Sequence, residues 1–221
     1  HRGEVLGIAG LVGAGRTEFL RAIFGLDAVR SGRVRVRTHG GPRSPRASWR
    51  EGVGFVSEDR KGEGLALART IAENVALPRL PKRPTAKALA AATTASIHAL
   101  GVRCTGPAQC VRELSGGNQQ KIALARLVFV DCDVWLLDEP TRGIDVAARA
   151  DVHRLIDDLA SGRSGGRPRG VLFVSSYLPE LLGVCDRIAV MRNGQLGPAR
   201  DARELDEHAL LKEALLKEAL P

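Results

Sequence analysis

The sequence is poor in the residues that build nucleic-acid, zinc and disulfide sites. Aromatic residues make up only 4% of its 221 residues, too few for the stacking platforms that bind single strands. The four cysteines lack C-x-x-C spacing and the five histidines lie apart from them, so we expect neither a zinc site nor a disulfide framework. Lysine is also scarce, with six among 33 basic residues. Arginine-rich composition therefore explains the net charge of +8 better than a nucleic-acid partner does.

Long hydrophobic runs are missing as well. A membrane-spanning helix needs about 18 or more consecutive apolar residues, and Arg126, Asp131 and Asp133 interrupt the most apolar stretch of the chain. The sequence does not open with a charged segment followed by an apolar one, as a secretion signal would. These absences favour a cytosolic protein. The 221 residues suit one large domain, over residues 1–221.

Short apolar segments alternate with helical patterns along the chain. We predict strands at residues 4–9, 32–37, 53–56, 134–137, 171–174 and 188–191. We predict helices at residues 17–24, 86–100, 115–130 and 146–160. Strands separated by helices indicate an α/β fold with a parallel sheet.

Three further segments carry their own patterns. Residues 39–48 hold two glycines and two prolines and are predicted to form a loop. Residues 67–125 are mostly helical in pattern, which predicts a helical insert. The repeated Ala-Leu-Leu-Lys-Glu at 209–213 and 214–218 predicts an amphipathic helix within 202–220.

Residues 10–17, Gly-Leu-Val-Gly-Ala-Gly-Arg-Thr, lie between a predicted strand and a predicted helix. They match the phosphate-loop pattern G-x-x-x-x-G-K-[ST], except that Arg16 replaces the lysine. The glycines let backbone N–H groups surround a phosphate at a positive helix terminus. A glycine turn that only joins strand to helix is the open alternative. The candidate nucleotide-binding residues are Gly10, Gly13, Ala14, Gly15, Arg16, Thr17 and Glu18.

Two carboxylates follow the apolar strand predicted at 134–137. Asp138 would lie at the carboxyl edge of a parallel sheet, where it and Thr17 are candidate ligands of Mg²⁺. Glu139 comes next and is suited to polarise an attacking water, which makes it the candidate catalytic residue. The alternative is an acidic strand end that caps a turn.

A second anion site is predicted at residues 114–121, Leu-Ser-Gly-Gly-Asn-Gln-Gln-Lys. Ser115 is a good N-cap, and Gly116 and Gly117 leave a row of N–H donors exposed at the positive end of a helix. Taken alone, the segment is also consistent with a purely structural capped helix. The phosphate loop upstream and the Asp138-Glu139 pair downstream favour the anion site.

These motifs together resemble a known family. LSGGNQQ followed by LLDEPTRGID is similar to the signature, Walker B strand and D-loop of ATP-binding cassette (ABC) ATPases. GLVGAGRTE, VSEDRKGEGL and LSGGNQQK resemble the second cassette of the tandem ATPase subunits of bacterial monosaccharide importers of ribose, xylose and galactoside type. The resemblance implies a P-loop NTPase with a RecA-like parallel-sheet core, at about 1–66 and 126–200, and an ABC helical subdomain at about 67–125. It also implies an N-terminally truncated single cassette cut from a longer chain.

The resemblance carries further expectations about ligands and partners. It implies ATP and Mg²⁺ as ligands, and a second cassette in the same native chain as a partner. The other expected partners are transmembrane permease subunits and, indirectly, a periplasmic or lipid-anchored sugar-binding protein, at the cytoplasmic face of a bacterial membrane. Asp145 takes the D-loop position. The residues expected to contact the ATP held by the partner cassette are Leu114, Ser115, Gly116, Gly117 and Gln119.

Three positions depart from the family pattern. Glu58 stands where cassettes usually carry the Q-loop glutamine, and Ser176 stands at the position of the switch histidine. The planar fork of Arg16 differs in shape from a compact lysine ammonium, and a serine lacks the imidazole that meets γ-phosphate charge. We therefore expect a degenerate nucleotide site in an ATPase that gives an intact signature to its partner. The alternative is a non-hydrolysing regulatory or structural cassette.

Overall fold

The computed structural model describes residues 1–36, 39–40, 44–79, 85–163 and 166–215. The strands are β1 (Val5–Ala9), β2 (Arg35–Val36), β3 (His39–Gly40), β4 (Val53–Val56), β5 (Val134–Asp138), β6 (Gly170–Val174), β7 (Arg187–Arg192), β8 (Gln195–Leu196) and β9 (Arg200–Asp201). The α-helices are α1 (Arg16–Phe24), α2 (Pro45–Arg50), α3 (Ile71–Ala76), α4 (Ala86–Ala99), α5 (Gly116–Val130), α6 (Val146–Ser161), α7 (Leu178–Val184) and α8 (Glu207–Leu215).

Seven strands form the main sheet, in the order β4-β5-β6-β1-β7-β8, with β9 also paired to β7. Strands β4, β5, β6, β1 and β7 are parallel, whereas β8 and β9 run antiparallel to β7. The predicted α/β fold with a parallel sheet is therefore confirmed. Because β5, β6 and β1 are neighbours, the segments that follow these three strands meet at one edge of the sheet.

Apolar side chains on both faces of the sheet hold the helices in place. Trp135 and Phe173 are fully buried in the larger cluster, with residues of α5, α6 and α7. On the other face, Phe24 of α1 packs edge-on against Trp49 at 5.7 Å between ring centroids. Gly54 of β4 has no room for a side chain, since a Cβ there would lie 2.1 Å from Leu127 Cδ2 of α5. Close contact between helix and sheet thus depends on this glycine.

The loop predicted at 39–48 is wrong over much of its length. The structure places strand β3 at His39–Gly40 and helix α2 at Pro45–Arg50. Ser44 caps α2 by accepting a hydrogen bond from the Ala47 N–H at 3.3 Å, and Pro45 occupies the first helical position. A proline there is compatible with a helix because its missing N–H would have no partner in the first turn. Gly40 therefore lies in a strand and Pro45 at a helix start, while residues 41–43 lie outside the described residues.

The helix predicted within 202–220 begins later than expected. A 3-10 turn covers Ala202–Glu204, and α8 begins at Glu207, after Asp206 accepts a hydrogen bond from the Ala209 N–H at 2.7 Å. Leu210 is fully buried, so α8 docks on the body of the protein. Residues 216–221 of the prediction lie outside the described residues.

Two more features of the described chain bear on the predictions. Of the strand expected at 32–37, the structure shows Arg35–Val36; residues 32–34 are not in a strand, and residue 37 lies outside the described residues. Within residues 67–125, the predicted helical insert, α3 begins with a capping box in which Thr70 and Glu73 satisfy each other's backbone N–H groups. No helix among the described residues has both the length and the apolar character needed to cross a membrane.

Candidate nucleotide site and signature helix

The phosphate loop connects β1 to α1 and is built on glycine conformations. Gly13 and Gly15 have φ values of +81° and +100°, which residues with a side chain rarely adopt. A Cβ on Gly10 would lie 2.4 Å from the Met191 carbonyl oxygen. Gly15 caps α1 without any side-chain hydrogen bond, so the N–H groups of the first turn are open to an anion.

The hairpin turn between β7 and β8 contacts the phosphate loop. The N–H of Gly194, between β7 and β8, donates to the Ala14 carbonyl oxygen at 2.9 Å. Asn193 and Gly194 have φ values of +49° and +78°, as the hairpin signal of an Asn-Gly pair predicts. This hydrogen bond attaches one side of the phosphate loop to the sheet. The other side of the loop faces the solvent.

Asp138 ends β5 beside this loop as a fully buried carboxylate. Neither of its oxygens has a hydrogen-bond partner. Burial raises the pKa of Asp138 to about 6, and the nearby Thr17 hydroxyl, which falls short of full hydrogen-bond geometry, opposes that rise. A buried carboxylate with two open oxygens beside a hydroxyl fits the oxygen ligands that Mg²⁺ prefers.

Glu139 follows in an unusual backbone conformation, with φ at +46°. Its N–H donates to the Val174 carbonyl oxygen at 3.0 Å, which ties it to the end of β6. Burial raises the pKa of its carboxyl group, although hydrogen bonds from Ser176 and the charge of Arg16 oppose the rise. A left-handed conformation at a residue other than glycine is strained and is held by its surroundings, as is typical of functional positions.

Arg16 is buried, and its guanidinium points toward the carboxyl ends of β5 and β6. Its Nη1 donates to the Ser175 carbonyl oxygen at 2.6 Å, and its Nη2 lies 3.5 Å from Glu139 Oε1. Burial lowers the pKa of the Arg16 guanidinium, although Glu139 and Asp138 oppose the shift by their negative charge. The side chain that replaces the lysine is therefore engaged with the protein itself.

Most of the residues predicted for the chain's own nucleotide site line one cavity of about 290 Å³. Glu58 and Arg142 form an ion pair at this cavity, which links the Q-loop position to the turn that follows Glu139. The cavity is lined by Val12, Gly13, Ala14, Gly15, Arg16, Thr17, Glu18, Glu58, Asp138, Glu139, Arg142 and Ser176. Gly10 is not part of the lining. Arg142 was not predicted as a site residue, because an exposed arginine after Thr141 carries no pattern of its own.

The signature residues lie elsewhere, at the exposed start of α5. The Ser115 hydroxyl caps the helix and accepts a hydrogen bond from Asn118 Nδ2 at 3.0 Å. Gly117 approaches α6 closely, since a Cβ there would lie 2.5 Å from Ala148 Cβ. Asp145 caps α6 through the Ala148 N–H at 2.9 Å, which brings the D-loop position to the same surface. The buried Gln119 amide donates to the Leu114 carbonyl oxygen at 3.2 Å and fixes the turn before the helix.

Sequence reasoning missed a buried carboxylate behind the site. Glu180 of α7 accepts a hydrogen bond from Ser175 Oγ at 2.5 Å and others from the Thr141 hydroxyl and His153 Nε2. Thr141 comes two residues after Glu139, and Ser175 precedes Ser176. Glu180 therefore connects the loop after β5 to the loop after β6 through hydrogen bonds. The only signal in the sequence was an acidic residue in the first turn of a helix.

A parallel sheet with a glycine loop after β1 and a buried carboxylate at the end of β5 is the arrangement of a P-loop nucleoside triphosphatase. A family model described as "ABC transporter" matches residues 1–142. The chain belongs to the ABC transporter family, and the family predicted from the motifs is confirmed.

Curated relatives show which ABC proteins this chain resembles in sequence. The chain is 44% identical over 215 residues to "Ribose import ATP-binding protein RbsA 3" of Rubrobacter xylanophilus, covering 95% of this chain and 42% of that protein. It is 40% identical over 228 residues to "Putative ribose/galactose/methyl galactoside import ATP-binding protein 1" of Burkholderia lata, covering 99% of this chain and 43% of that protein. The chain thus spans less than half the length of these relatives.

Solved structures share the fold. The cassette MJ0796, solved as a dimer and described as a bacterial ABC transporter cassette, superposes with a TM-score of 0.75 at 22% identity, over 92% of this chain and 87% of that one. A nucleotide-free ATP-binding cassette of another ABC transporter gives a TM-score of 0.77 at 18% identity, over 99% of this chain and 90% of that one. At these identities the likeness shows the fold, and the predicted fold class is confirmed.

The burial of Asp138 is expected to affect the free energy of unfolding of the protein. Its folded pKa of about 6 exceeds the ordinary value of 3.8, so its ionisation destabilises the fold. This cost is absent below pH 3.8, grows as the pH rises toward 6, and is complete above it. Asp138→Asn is therefore expected to raise the free energy of unfolding by about 1–3 kcal/mol at pH 8 without Mg²⁺ or nucleotide.

Urea unfolding at pH 4 and pH 8 measures this effect. The matched control is Asp145→Asn, because asparagine caps a helix about as well as aspartate does and this position is exposed. A lower unfolding free energy for Asp138→Asn than for the wild type at pH 8 would contradict the account of Asp138.

Proposed function

We propose that this chain is an ATPase cassette that couples ATP binding and hydrolysis to the import of a monosaccharide. In this proposal it works with a second cassette in the same native chain, with permease subunits, and indirectly with a periplasmic or lipid-anchored sugar-binding protein. Its place is the cytoplasmic face of a bacterial membrane. The names of the curated relatives, which refer to ribose and galactose import, support this assignment.

The observation that carries the proposal is the position of the signature. None of residues 114–117, all described by the structure, lines the cavity of the phosphate loop. Ser115 is exposed at the positive end of the 15-residue helix α5, where N–H groups and the helix dipole attract anions. We infer that this terminus completes the ATP site of the second cassette.

Exposed apolar side chains support a partner at this surface. Val12, at the tip of the phosphate loop, is 91% exposed, and Val146, at the start of α6 beside Asp145, is 81% exposed. Single exposed apolar side chains are normal on a protein surface, so what matters is where these two valines lie. Both belong to elements that would take part in contact between two cassettes.

Its own nucleotide site is proposed to be degenerate. The loop N–H groups of residues 13–17 would hold the phosphates, while Thr17 and Asp138 would hold Mg²⁺, which when bound supplies positive charge to the phosphate oxygens. Glu139 would accept the proton of the attacking water. Arg16, Ser176 and Glu58 stand in place of the expected lysine, histidine and glutamine, so we propose slow turnover at this site.

The rival function is a non-hydrolysing regulatory cassette, which the ion pair between Arg16 and Glu139 favours. Titration of the 221-residue chain with a fluorescent ATP analogue, combined with a phosphate-release assay, separates the two. We expect saturable, slow turnover that Glu139→Gln abolishes while nucleotide binding persists. Glu204→Gln, at an exposed position away from the site, serves as the control. Binding without turnover at any ATP concentration would favour the regulatory cassette.

A further inference from the structure

Arg16 makes contacts that a phosphate-binding lysine would not make. It is the first residue of α1, it is 8% exposed, and its guanidinium reaches the carboxyl end of β6. One nitrogen donates to the Ser175 carbonyl oxygen at 2.6 Å while another lies 3.5 Å from Glu139 Oε1. A planar guanidinium can serve two such acceptors at once, whereas a compact ammonium is less suited to do so.

The Glu139 carboxylate is surrounded on several sides. Arg16 Nη2 lies 3.5 Å from Oε1, and the nearby Ser176 lowers the pKa of the carboxyl group against the effect of burial. The backbone of Glu139 is itself fixed by its bond to the Val174 carbonyl oxygen at 3.0 Å. Its side chain is only 10% exposed. The carboxylate that would accept a proton from water is therefore buried and already paired with the Arg16 guanidinium.

Ser175, which accepts the hydrogen bond from Arg16, is itself held by further hydrogen bonds. Ser175 accepts Arg16 through its carbonyl oxygen, while its hydroxyl donates to Glu180 at 2.5 Å and accepts from the Tyr177 N–H at 3.0 Å. Ser175 is fully buried. Hydrogen bonds of the protein core behind the site therefore hold the Arg16 guanidinium in place.

We propose that Arg16 is a positioning residue that restrains Glu139: it pairs with the general base and holds it away from the attacking water. The inference rests on the proposed function, because it assumes that Glu139 serves ATP hydrolysis. In that reaction a water O–H bond breaks, its proton passes to Glu139, the water oxygen bonds to the γ-phosphorus, and ADP leaves. The Arg16 pair must open before Glu139 can take the proton. Slow turnover then comes from an occupied base as well as from a missing lysine.

The test compares Arg16→Gln and Arg16→Lys with the wild-type 221-residue chain. Nucleotide affinity is measured with a fluorescent ATP analogue and kcat with phosphate release at saturating ATP. Both variants are expected to raise kcat three-fold or more and to change the Kd by less than three-fold, because the guanidinium lies on Glu139. Adding Glu139→Gln to Arg16→Gln must remove the gain. Arg21→Gln is the matched control, since Arg21 lies on the same helix and pairs with Asp27 and Glu63 outside the site.

A large change in Kd combined with a fall in kcat would overturn the inference. A Kd raised ten-fold or more together with a lower kcat would show that Arg16 binds phosphate directly. An unchanged kcat in both variants would overturn it as well. Turnover by the wild type without a gain in the variants contradicts the inference alone, whereas no turnover by any chain that binds ATP contradicts the proposed function too.

A second readout does not depend on turnover. Urea unfolding of Arg16→Gln, Glu139→Gln and the double variant forms a double-mutant cycle. If the two side chains are paired, the loss in the double variant is smaller than the sum of the two single losses. Additive losses would overturn the pairing even if the variants differ in activity.

Discussion

In the assembled transporter, Ser115→Asp is expected to lower ATP turnover ten-fold or more. Aspartate caps a helix about as well as serine does, so α5 keeps its start and its packing against α6. The added carboxylate, however, places a negative charge where the exposed Ser115 hydroxyl lies. If this terminus faces the phosphates held by the second cassette, charge repulsion replaces attraction there.

Two companion variants sharpen the Ser115 experiment. Ser44→Asp changes another exposed N-cap serine, that of α2, and is expected to leave turnover unchanged. Arg16→Ala alters the degenerate site and is expected to change total turnover by less than three-fold. Steady-state ATPase measurements in proteoliposomes rank the three. A larger loss from Arg16→Ala than from Ser115→Asp would contradict the proposed division of labour between the two sites.

Glu180→Ala is expected to destabilise the protein by about 3–5 kcal/mol, because it breaks a buried charged network. The carboxylate accepts hydrogen bonds from Ser175, Thr141 and His153, which come from β6's end, the turn after Glu139, and α6. Glu180 is 4% exposed, so water does not readily replace the lost acceptor. Urea unfolding at pH 7 measures the loss, and Glu204→Ala, at an exposed position, is the control.

The pH dependence of the loss identifies the charge as its cause. Burial by itself would raise the pKa of Glu180, but the hydrogen bonds from His153, Ser175 and Thr141 outweigh it, so the folded pKa lies below the ordinary 4.5. A lowered folded pKa stabilises the fold above 4.5, and the gain is lost as the pH falls through the folded value. The difference between the wild type and Glu180→Gln is therefore expected to be full at pH 7 and to shrink toward pH 3. A difference independent of pH would show that only shape matters at this position.

Much of the site could be predicted because its motifs are local. The glycines of residues 10–15 specify the loop conformation directly through their backbone freedom. Asp138 could be placed at the sheet edge because it ends an apolar strand, and Ser115 could be placed at a helix start because it is a strong cap followed by two glycines. Each of these inferences needs only a few consecutive residues.

The errors came from segments in which local signals compete. Residues 44–50 carry proline next to serine, which marks both loops and helix starts, and the helix form prevails because Trp49 packs on Phe24. Helix α8 begins at Glu207, where Asp206 accepts a hydrogen bond from the Ala209 N–H, and the leucine repeat by itself does not specify that start. Domain bounds near residues 66 and 126, and the roles of individual site residues, remain predictions.

Short runs of consecutive residues encode the phosphate loop, the carboxylates after β5 and the capped start of α5, so these could be predicted from the amino-acid sequence, and the same motifs indicated the family. The folded chain, in contrast, sets where Arg16 points, joins Ser175 and Thr141 through Glu180, and places the signature outside its own nucleotide cavity. Each of these depends on residues that are distant in sequence and meet through the strand order β5-β6-β1. A long side chain finds its partner among whatever the fold brings near it, and that neighbourhood is a property of the packed chain.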